Sequence, residues 1–231
     1  MNKGTFWNSV NDAVKLLKKL NFIREVNIHK NFSYSQNEIS HHQIEIHEDI
    51  YNELLYSQDY DMLLYDYSIL QLSIDDNENI RMLFVQNPRL FISFEDFLTQ
   101  MDLPFTNTNI ARLRYDFKED YDQFLSEQKA VANPTYFRYE TDFVNRRDNE
   151  NIHSFAHLHV GLNNCIRFPV GIDITPYAFV IFVIRHSYYD DWVNIIRKGL
   201  LDDNELNYKT RCGLLPNDLW TDKEKRSIHF S

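Results

Sequence analysis

The spacing of apolar residues along the chain predicts a series of amphipathic helices. In residues 6–20 the apolar side chains recur every three or four positions, so they share one face of a helix. Thr175 followed by Pro176 is a strong helix start, and Gly199 is suited to cap the end of the same helix. On such signals we predict helices over residues 6–20, 48–56, 93–101, 110–130 and 175–198.

Other stretches have the two-residue period of a β-strand or a short apolar run. The clearest alternation is in 136–143, where Phe137 and Tyr139 share one face while Arg138 and Glu140 share the other. Strands of these two kinds are predicted over residues 22–29, 38–46, 59–74, 80–86 and 136–143. Because only the turn-forming segment DDNEN separates 59–74 from 80–86, we expect these two to be antiparallel neighbours.

Residues 153–170, HSFAHLHVGLNNCIRFPV, predict a β-hairpin that carries most of the candidate chemistry. One face of its first strand holds His153, His157 and His159, whereas the opposite face is apolar. Residues 161–164 are of the types that accept the positive φ angles of a turn. A turn centred near residue 163 places His159 opposite Arg167 and His157 opposite Pro169, so imidazoles and a guanidinium converge on one surface.

Taken together, these elements predict an α+β fold, with a mostly antiparallel sheet packed against several helices. The sheet is expected to contain 136–143 and both strands of the hairpin, and to pack on the helix 175–198. The sequence has no internal repeat, low-complexity tract or Gly/Ser linker that would divide it. We therefore predict a single domain over residues 1–231, with the site-bearing half at about 132–200.

Hydropathy and cysteine spacing indicate the compartment in which the protein works. No window approaches the roughly 20 apolar residues of a membrane-spanning helix, and the first residues lack the unbroken apolar core of a signal peptide. We therefore expect a cytoplasmic protein that has no membrane contact. Cys165 and Cys212 are far apart in sequence and lack a CxxC spacing, so we expect free thiols.

The charge of the chain is unevenly distributed. The formal net charge is −10, which counts against an extended nucleic-acid surface. Residues 132–200 differ, because they contain seven basic and seven acidic residues, a sum of zero, together with four of the nine histidines. A neutral, histidine-rich centre in an acidic frame is compatible with an anionic ligand in a recessed pocket, although solvated surfaces of this kind are also ordinary.

The C-terminal half resembles a bacterial family catalogued as domain of unknown function 2290. The resemblance rests on YFRYE, HxFAHLHVG, CIRFPV and ITPYAFVIFVIRHSYYDDW, and it covers residues 136–192. That family has no assigned reaction, so the resemblance implies no catalytic role. A looser likeness is to small toxins of toxin–antitoxin pairs, and it rests on the run Arg138, Tyr139, Glu140 ahead of His157 and His159. It implies a prokaryotic toxin or a phage-defence component.

The first functional hypothesis is an enzyme that cleaves or transfers a phosphoester in RNA or a nucleotide. An imidazole has a pKa of about 6.5 and can take and return a proton, while guanidinium groups stabilise charge developing on phosphate. The candidate catalytic residues are His157, His159, Arg167 and Arg138. The candidate binding residues are Glu140, Tyr139, Arg185, His153 and His186.

The cofactor of this hypothetical enzyme is left open, and no metal ligands are assigned. A divalent metal is one option, for which His157 and His159 would act as ligands together with Glu140 or Asp142 from the adjacent strand. The alternative is that the two histidines are a structural, hydrogen-bonded pair. A catalytic pair should open onto a concavity shared with an arginine, whereas a structural pair should be enclosed, with each ring hydrogen-bonded.

Arg185 is the one charged residue within the apolar stripe that we assign to the helix 175–198. A guanidinium on a buried face requires a partner, so we expect Arg185 to be buried and bound to Glu140, Asp142 or backbone carbonyls.

The second functional hypothesis is a non-catalytic interaction subunit of a prokaryotic defence or toxin–antitoxin complex, with a protein partner encoded nearby. Aromatic residues make up 15% of the chain, and the frame around the neutral centre is acidic. Both properties suit protein contacts. The same aromatic residues would serve equally well to fill a core.

Overall fold

The structure, a computed structural model, describes residues 1–27, 46–142, 154–162 and 166–226. These residues contain eight α-helices, nine β-strands and two 3₁₀ helices, the latter at Tyr208–Arg211 and Glu224–Arg226. The α-helices are α1 (Lys3–Lys19), α2 (His47–Tyr56), α3 (Phe94–Gln100), α4 (Ile110–Asp116), α5 (Lys118–Ser126), α6 (Pro176–Ser187), α7 (Tyr189–Arg197) and α8 (Asp203–Leu206). The strands are β1 (Ile23–Val26), β2 (Met62–Leu64), β3 (Ile69–Ile74), β4 (Ile80–Val85), β5 (Tyr136–Thr141), β6 (Ala156–Val160), β7 (Ile166–Pro169), β8 (Ile172–Asp173) and β9 (Gly213–Leu214).

Within the described residues, strands β1 to β7 form one sheet in which spatial order follows chain order. Every neighbouring pair is antiparallel. Strands β8 and β9 form a separate two-stranded antiparallel pair. The predicted α+β class and antiparallel sheet are therefore confirmed, as is the pairing of the strands on either side of DDNEN.

One face of the sheet forms the main core together with α1 and α6. The strand residues on this face alternate with residues that point to the other side, as the strand period requires. Fully buried members include Phe6 and Leu17 of α1, Phe84 of β4, and Phe179 of α6. Burying one such side chain contributes about 1.5–3 kcal/mol, so this face dominates the stability of the fold.

The opposite face of the sheet is divided into an apolar part and a polar part. Helix α2 covers the apolar part, where Tyr51 packs with Leu83, Val85 and Tyr136. The polar part lies farther along the same strands, toward the β6–β7 edge, and it carries the candidate site described below. The sheet thus separates that site from the main core.

Residues 87–134, inserted in the chain between β4 and β5, form a second compact unit. Helices α3, α4 and α5 surround their own small core of Phe94, Phe97, Leu98 and Tyr121. Ser93 caps α3 through a hydrogen bond from the backbone N–H of Asp96, as the sequence predicted. A single domain over residues 1–231 stays a prediction.

The prediction of one continuous helix over 175–198 is wrong, because the helix breaks at Tyr188. Thr175 caps α6 and Gly199 follows the end of α7 with a positive φ of 59°, as predicted. Between them, Tyr188 has φ −127° and ψ 62°, outside the helical region. The break lets the buried Tyr188 hydroxyl donate to Asp66, at 3.0 and 3.1 Å from its two carboxylate oxygens.

The prediction that Arg185 is buried is also wrong. Its side chain is exposed, and its guanidinium lies 6.0 Å from the centre of the Trp192 ring. The predicted stripe assumed a helical phase running unbroken from α6 into α7. Arg185 lies near the C-terminal end of α6, before the break, and is exposed together with its neighbour His186. Beyond the break the helical phase changes, and Tyr189 is exposed as well.

Two other long elements are shorter than predicted. The helix 110–130 is interrupted at Phe117, which has φ −107° and ψ 23°, and it ends at Ser126. The strand 59–74 is divided into β2 and β3 by a turn at 65–68. In this turn Tyr67 has a positive φ of 68°, and the carboxylate of Asp66 accepts from the backbone N–H and the hydroxyl of Ser68.

Several predictions fall wholly or partly on residues outside the described ranges. They concern the strand at 38–46, the far end of the strand 22–29, His153 and Cys165. The described cysteine, Cys212, is a free thiol, and burial raises its pKa. Among the described residues, no helix has both the length and the apolar character needed to cross a membrane.

Candidate functional site

The polar part of the sheet consists of two rows of side chains that run across strands β4 to β7. Directly paired residues of antiparallel strands point to the same face, so the register fixes which side chains meet. The first row is Arg81, Glu140, His157 and Pro169, and the second is Leu83, Arg138, His159 and Arg167. The predicted pairs His159 with Arg167 and His157 with Pro169 are both confirmed.

Glu140 is the centre of this cluster, and its two carboxylate oxygens have different neighbours. Oε2 lies 3.5 Å from Nε2 of His157 and 3.5 Å from Nε2 of His159. Oε1 lies 3.2 Å from Nε of Arg138 and 3.6 Å from Nε of Arg81. One oxygen thus faces two imidazoles, while the other faces two guanidiniums.

The two imidazole rings are in contact and enclosed. Their centroids are 4.8 Å apart in an edge-to-face arrangement, and each side chain is only 1% exposed. Nδ1 of His157 lies 3.1 Å from the carbonyl oxygen of Ser154. Nε2 of His159 lies 3.4 Å from Nη2 of Arg138, whereas its Nδ1 is buried and has no hydrogen-bond partner in the described structure.

Burial and neighbouring charges fix the protonation states of Glu140 and His159. Burial alone would raise the pKa of Glu140, but hydrogen bonds from the two histidines and the charges of Arg138 and Arg81 outweigh it, so the pKa lies well below its usual range. Burial lowers the pKa of His159 to about 4, and the charge of nearby Arg138 acts in the same direction. The hydrogen bond to Glu140 opposes this shift. At neutral pH the carboxylate is therefore ionised and the His159 imidazole is neutral.

The charged side chains of the cluster are the part of it that is exposed to solvent. The side chains of Glu140, Arg138 and Arg81 are 20%, 18% and 19% exposed, and Arg167 at the β7 edge is exposed. A ligand arriving from this side would meet guanidinium and carboxylate groups first, with the imidazoles behind them.

Three residues of the cluster also form a set of potential metal ligands. Glu140, His157 and His159 each offer one ligand atom, and these atoms all lie within 4.8 Å of one another. Asp142, the other carboxylate that we considered as a ligand, does not belong to this set. It lies just past the end of β5, where its backbone N–H donates to the carbonyl of Phe155.

The structure brings some of the predicted site residues together and separates others. Arg138, Glu140, His157 and His159 meet, and Arg167 stands at the end of the second row. The remaining predicted residues lie apart or outside the described ranges: Tyr139, Arg185, His186 and His153.

Tyr139 lies on the opposite side of β5 and is fully buried in the main core, with its hydroxyl 3.4 Å from the carbonyl of Ile172. Arg185 and His186 are exposed on α6, which packs on that same core side of the sheet. The His186 ring lies against Phe182 at a centroid distance of 4.6 Å. The sheet therefore stands between these three side chains and the two histidines of β6.

Arg81 is a member of the cluster that the sequence did not reveal. It pairs directly with Glu140 across β4 and β5, although 59 positions separate the two residues in the chain (140 − 81). The only local signal was a single charged residue in the apolar run IRMLFV. Such a residue points away from the core, but nothing in the sequence indicates which strand lies beside it.

The fold and site together define a class: an α+β protein with an antiparallel sheet that carries a carboxylate, two histidines and three arginines on the face away from its main core. The chain belongs to the family of uncharacterized conserved proteins DUF2290, whose family model matches residues 13–231. The match extends well beyond the C-terminal half in which the sequence signal was found. Neither the curated proteins nor the solved structures include a match.

Proposed function

We propose that this protein is an enzyme that cleaves or transfers phosphoesters in RNA or nucleotides, with its site at Arg138, Glu140, His157, His159 and Arg167. The observation that carries the proposal is the convergence of two imidazoles and several guanidiniums on one carboxylate, in a part of the sheet that solvent reaches. Such an arrangement combines anion-binding groups with groups able to move a proton. Arg81 joins the proposed site.

The arginines would bind the phosphate. Guanidinium groups match phosphate oxygens in geometry, and Arg138 and Arg167 flank His159 in the same row of the sheet. Partial burial strengthens such contacts, because less water competes for the charges. The site is therefore suited to one small anionic group and not to the extended phosphate backbone of a duplex. The net negative charge of the rest of the chain agrees with this.

The histidines would accept and return the proton that is transferred in the reaction. His159 is neutral at pH 7 and can accept one, and the ionised Glu140 beside it would stabilise the imidazolium that results. Because both rings lie behind the charged groups, reaction requires the substrate to approach through Glu140 and the arginines. The biological role included in the proposal is that of a cytoplasmic toxin-like or phage-defence effector.

The test is to assay the full chain on single-stranded RNA and on nucleotides in the presence of Mg²⁺, Mn²⁺ or Zn²⁺, with the products of neighbouring genes added. We expect phosphoester cleavage or transfer by the wild type. We expect its loss in His157→Gln/His159→Gln, and a fall of roughly 10²–10³-fold in Arg138→Gln, as when one charge-stabilising donor is removed. Expression in cells should show toxicity or phage protection with the same dependence.

A matched control is Arg112→Gln, which removes a guanidinium that is 85% exposed on α4. This variant should keep full activity. An inactive wild type under all these conditions would contradict the proposal. So would a folded His157→Gln/His159→Gln protein with undiminished activity or toxicity.

A second candidate function is the non-catalytic interaction subunit, and one specific observation favours it. Both imidazoles are 1% exposed, which is what a structural pair would show. In that case the double Gln variant should lower the melting temperature and leave the biological effect in place. Size-exclusion chromatography with light scattering, run with the neighbouring gene products, should then show a complex, and a protein that elutes alone is not such a subunit.

A further inference from the structure

We propose that Glu140, His157 and His159 bind one divalent transition-metal ion of the Zn²⁺ type, through Oε2 of the glutamate and Nε2 of each histidine. This inference rests on the proposed function and deepens it by supplying a cofactor. With Nε2 of His159 bound to the ion, that ring could not accept a proton, and water bound to the ion, whose pKa the ion lowers, would supply the proton-accepting group instead.

The three ligand atoms are spaced like the ligands of one metal ion. Oε2 of Glu140 lies 3.5 Å from both Nε2 atoms. Two ligands that share a tetrahedral Zn²⁺ ion at about 2.0–2.1 Å are separated by about 3.3–3.4 Å. A good N–H···O hydrogen bond is shorter, at about 2.7–3.2 Å. The two oxygen–nitrogen distances are therefore at the long limit for hydrogen bonds and close to those of ligands around one ion. All three ligand atoms lie within 4.8 Å of one another, so the two rings would close slightly around the ion.

The ring nitrogens that face Glu140 can present lone pairs to it. Nδ1 of His157 lies 3.1 Å from a carbonyl oxygen, which can only accept, so Nδ1 carries a proton. When the ring holds only that proton, its Nε2 presents a lone pair toward Oε2 of Glu140, which also has only lone pairs. Two acceptors facing each other repel unless a proton or a metal ion lies between them, and a metal ion can be shared by all three ligand atoms at once.

The same reasoning applies to the second histidine. Nη2 of Arg138 can only donate, so Nε2 of His159 accepts in their 3.4 Å contact when it is unprotonated, and the ring then carries its proton on Nδ1. In these protonation states both rings aim an acceptor nitrogen at one acceptor oxygen. Three hydrogen-bond acceptors that converge in a buried position can serve as the ligands of a metal ion. A set of imidazole nitrogens and a carboxylate oxygen suits Zn²⁺ and similar transition metals better than Mg²⁺ or Ca²⁺.

The groups around this set hold it in place. Ligating histidines usually donate their other ring N–H to a carbonyl or carboxylate, as His157 does to Ser154. Arg138 and Arg81 approach the other oxygen of Glu140, which leaves Oε2 available as a single-oxygen ligand. Three protein ligands leave at least one coordination position for water or a phosphate oxygen, which is the pattern of catalytic rather than structural zinc sites.

The arginines set a limit on the affinity. Two guanidiniums close to Glu140 repel a divalent cation, so the ion must gain more from its three ligands than it loses to this repulsion. Binding of an anion at the open position would offset the repulsion. We therefore expect a metal that serves phosphoester chemistry, polarising a phosphate oxygen or lowering the pKa of bound water.

The experiment is to treat the full chain with chelator and then titrate it with Zn²⁺ by isothermal calorimetry, with Co²⁺ as a spectroscopic probe. We expect one Zn²⁺ per chain, and a visible Co²⁺ spectrum of low coordination number. In His157→Gln, His159→Gln and Glu140→Gln the affinity should fall by more than roughly 100-fold, beyond the 10–100-fold that follows loss of an outer hydrogen-bond partner. Circular dichroism would verify that these variants fold.

The control is His47→Gln, which removes an imidazole whose Nε2 hydrogen-bonds the carbonyl of Gln86 outside the cluster. It should bind Zn²⁺ like the wild type. A wild type that binds no more Zn²⁺ than the ligand variants would overturn the proposal, as would ligand variants that bind it undiminished.

If a ligand variant fails to fold, nitrogen NMR of the wild-type imidazoles replaces it. Zn²⁺ should then shift Nε2 of two histidines while their Nδ1 stays protonated, and unchanged resonances would overturn the inference. The two proposals also fail separately. A protein that binds Zn²⁺ at this site but is inactive contradicts the enzyme and not the metal site, whereas full activity in chelator without Zn²⁺ binding contradicts the metal site and not the enzyme.

Discussion

Replacing Asp61 with asparagine is expected to make the stability of the protein less dependent on pH. Asp61, just before β2, is fully buried. Its Oδ2 accepts a 2.6 Å hydrogen bond from the backbone N–H of Leu72, while its Oδ1 has no hydrogen-bond partner among the described residues. Burial raises the pKa of Asp61 to about 7, opposed by the bond from Leu72 and reinforced by the charge of Asp59.

The magnitude follows from the difference between the folded and unfolded pKa values. An unfolded aspartate titrates at about 3.9, so ionising Asp61 in the folded state costs about 4 kcal/mol in total. The pKa is raised by folding, so the protonated group's contribution to stability is complete below about pH 4 and is lost as the pH rises through about 7. Between about pH 5 and pH 8 the wild type should lose about 2.5 kcal/mol from this group alone.

The assay is urea denaturation of wild type and Asp61→Asn at a series of pH values, followed by tryptophan fluorescence. Asparagine keeps an oxygen for the bond from Leu72 and carries no charge. Relative to wild type, the variant should therefore gain about 2.5 kcal/mol in free energy of unfolding from pH 5 to pH 8. Asp218→Asn, at an exposed aspartate, should show no such trend. A constant difference between Asp61→Asn and wild type over this range would refute the reasoning.

Three further substitutions test the elements that frame the sheet, each by thermal unfolding at pH 7. Tyr188→Phe removes the buried hydroxyl that bonds Asp66 and should cost about 1–3 kcal/mol, and a neutral result would contradict the role given to the helix break. Thr175→Ala removes the N-cap of α6 and should cost about 1 kcal/mol, which an unchanged melting temperature would exclude. Gly199→Ala, at φ 59°, should cost about 1–2 kcal/mol through backbone strain alone. Gly213→Ala, at a glycine without a positive φ, should cost less, and equal costs would contradict the strain at Gly199.

The β6–β7 hairpin shows what local patterns determine. Its apolar positions are buried against the main core, as with Leu158, so alternation alone assigns His157 and His159 to the other face. The residue types at the turn then fix which positions pair across the two strands. The predicted pairing of His159 with Arg167 was therefore obtained from a few neighbouring residues.

The features that were missed depend on contacts between distant parts of the chain. Arg81 meets Glu140 only because β4 and β5 are neighbours in one register, with the unit 87–134 between them in the chain. The break at Tyr188 is coupled to Asp66, 122 positions away, and the exposure of Arg185 depends on which side of α6 packs on the sheet. Helical periodicity read from sequence has no access to either contact, because propensity within one segment does not report its partners.

The charge balance of the cluster links its proposed metal to its proposed substrate. The charges of Arg81, Arg138 and Arg167 against that of Glu140 give +3 − 1 = +2, and a divalent ion would raise this sum to +4. An anion bound there would reduce the repulsion between the metal ion and the arginines. The anion and the metal ion should therefore strengthen each other's binding by the same factor. For a nucleoside monophosphate and Zn²⁺ we expect a coupling of roughly 5–150-fold, measurable by calorimetry with and without the nucleotide. Equal Zn²⁺ affinities in both titrations would mean that the arginines and the metal do not share one anion.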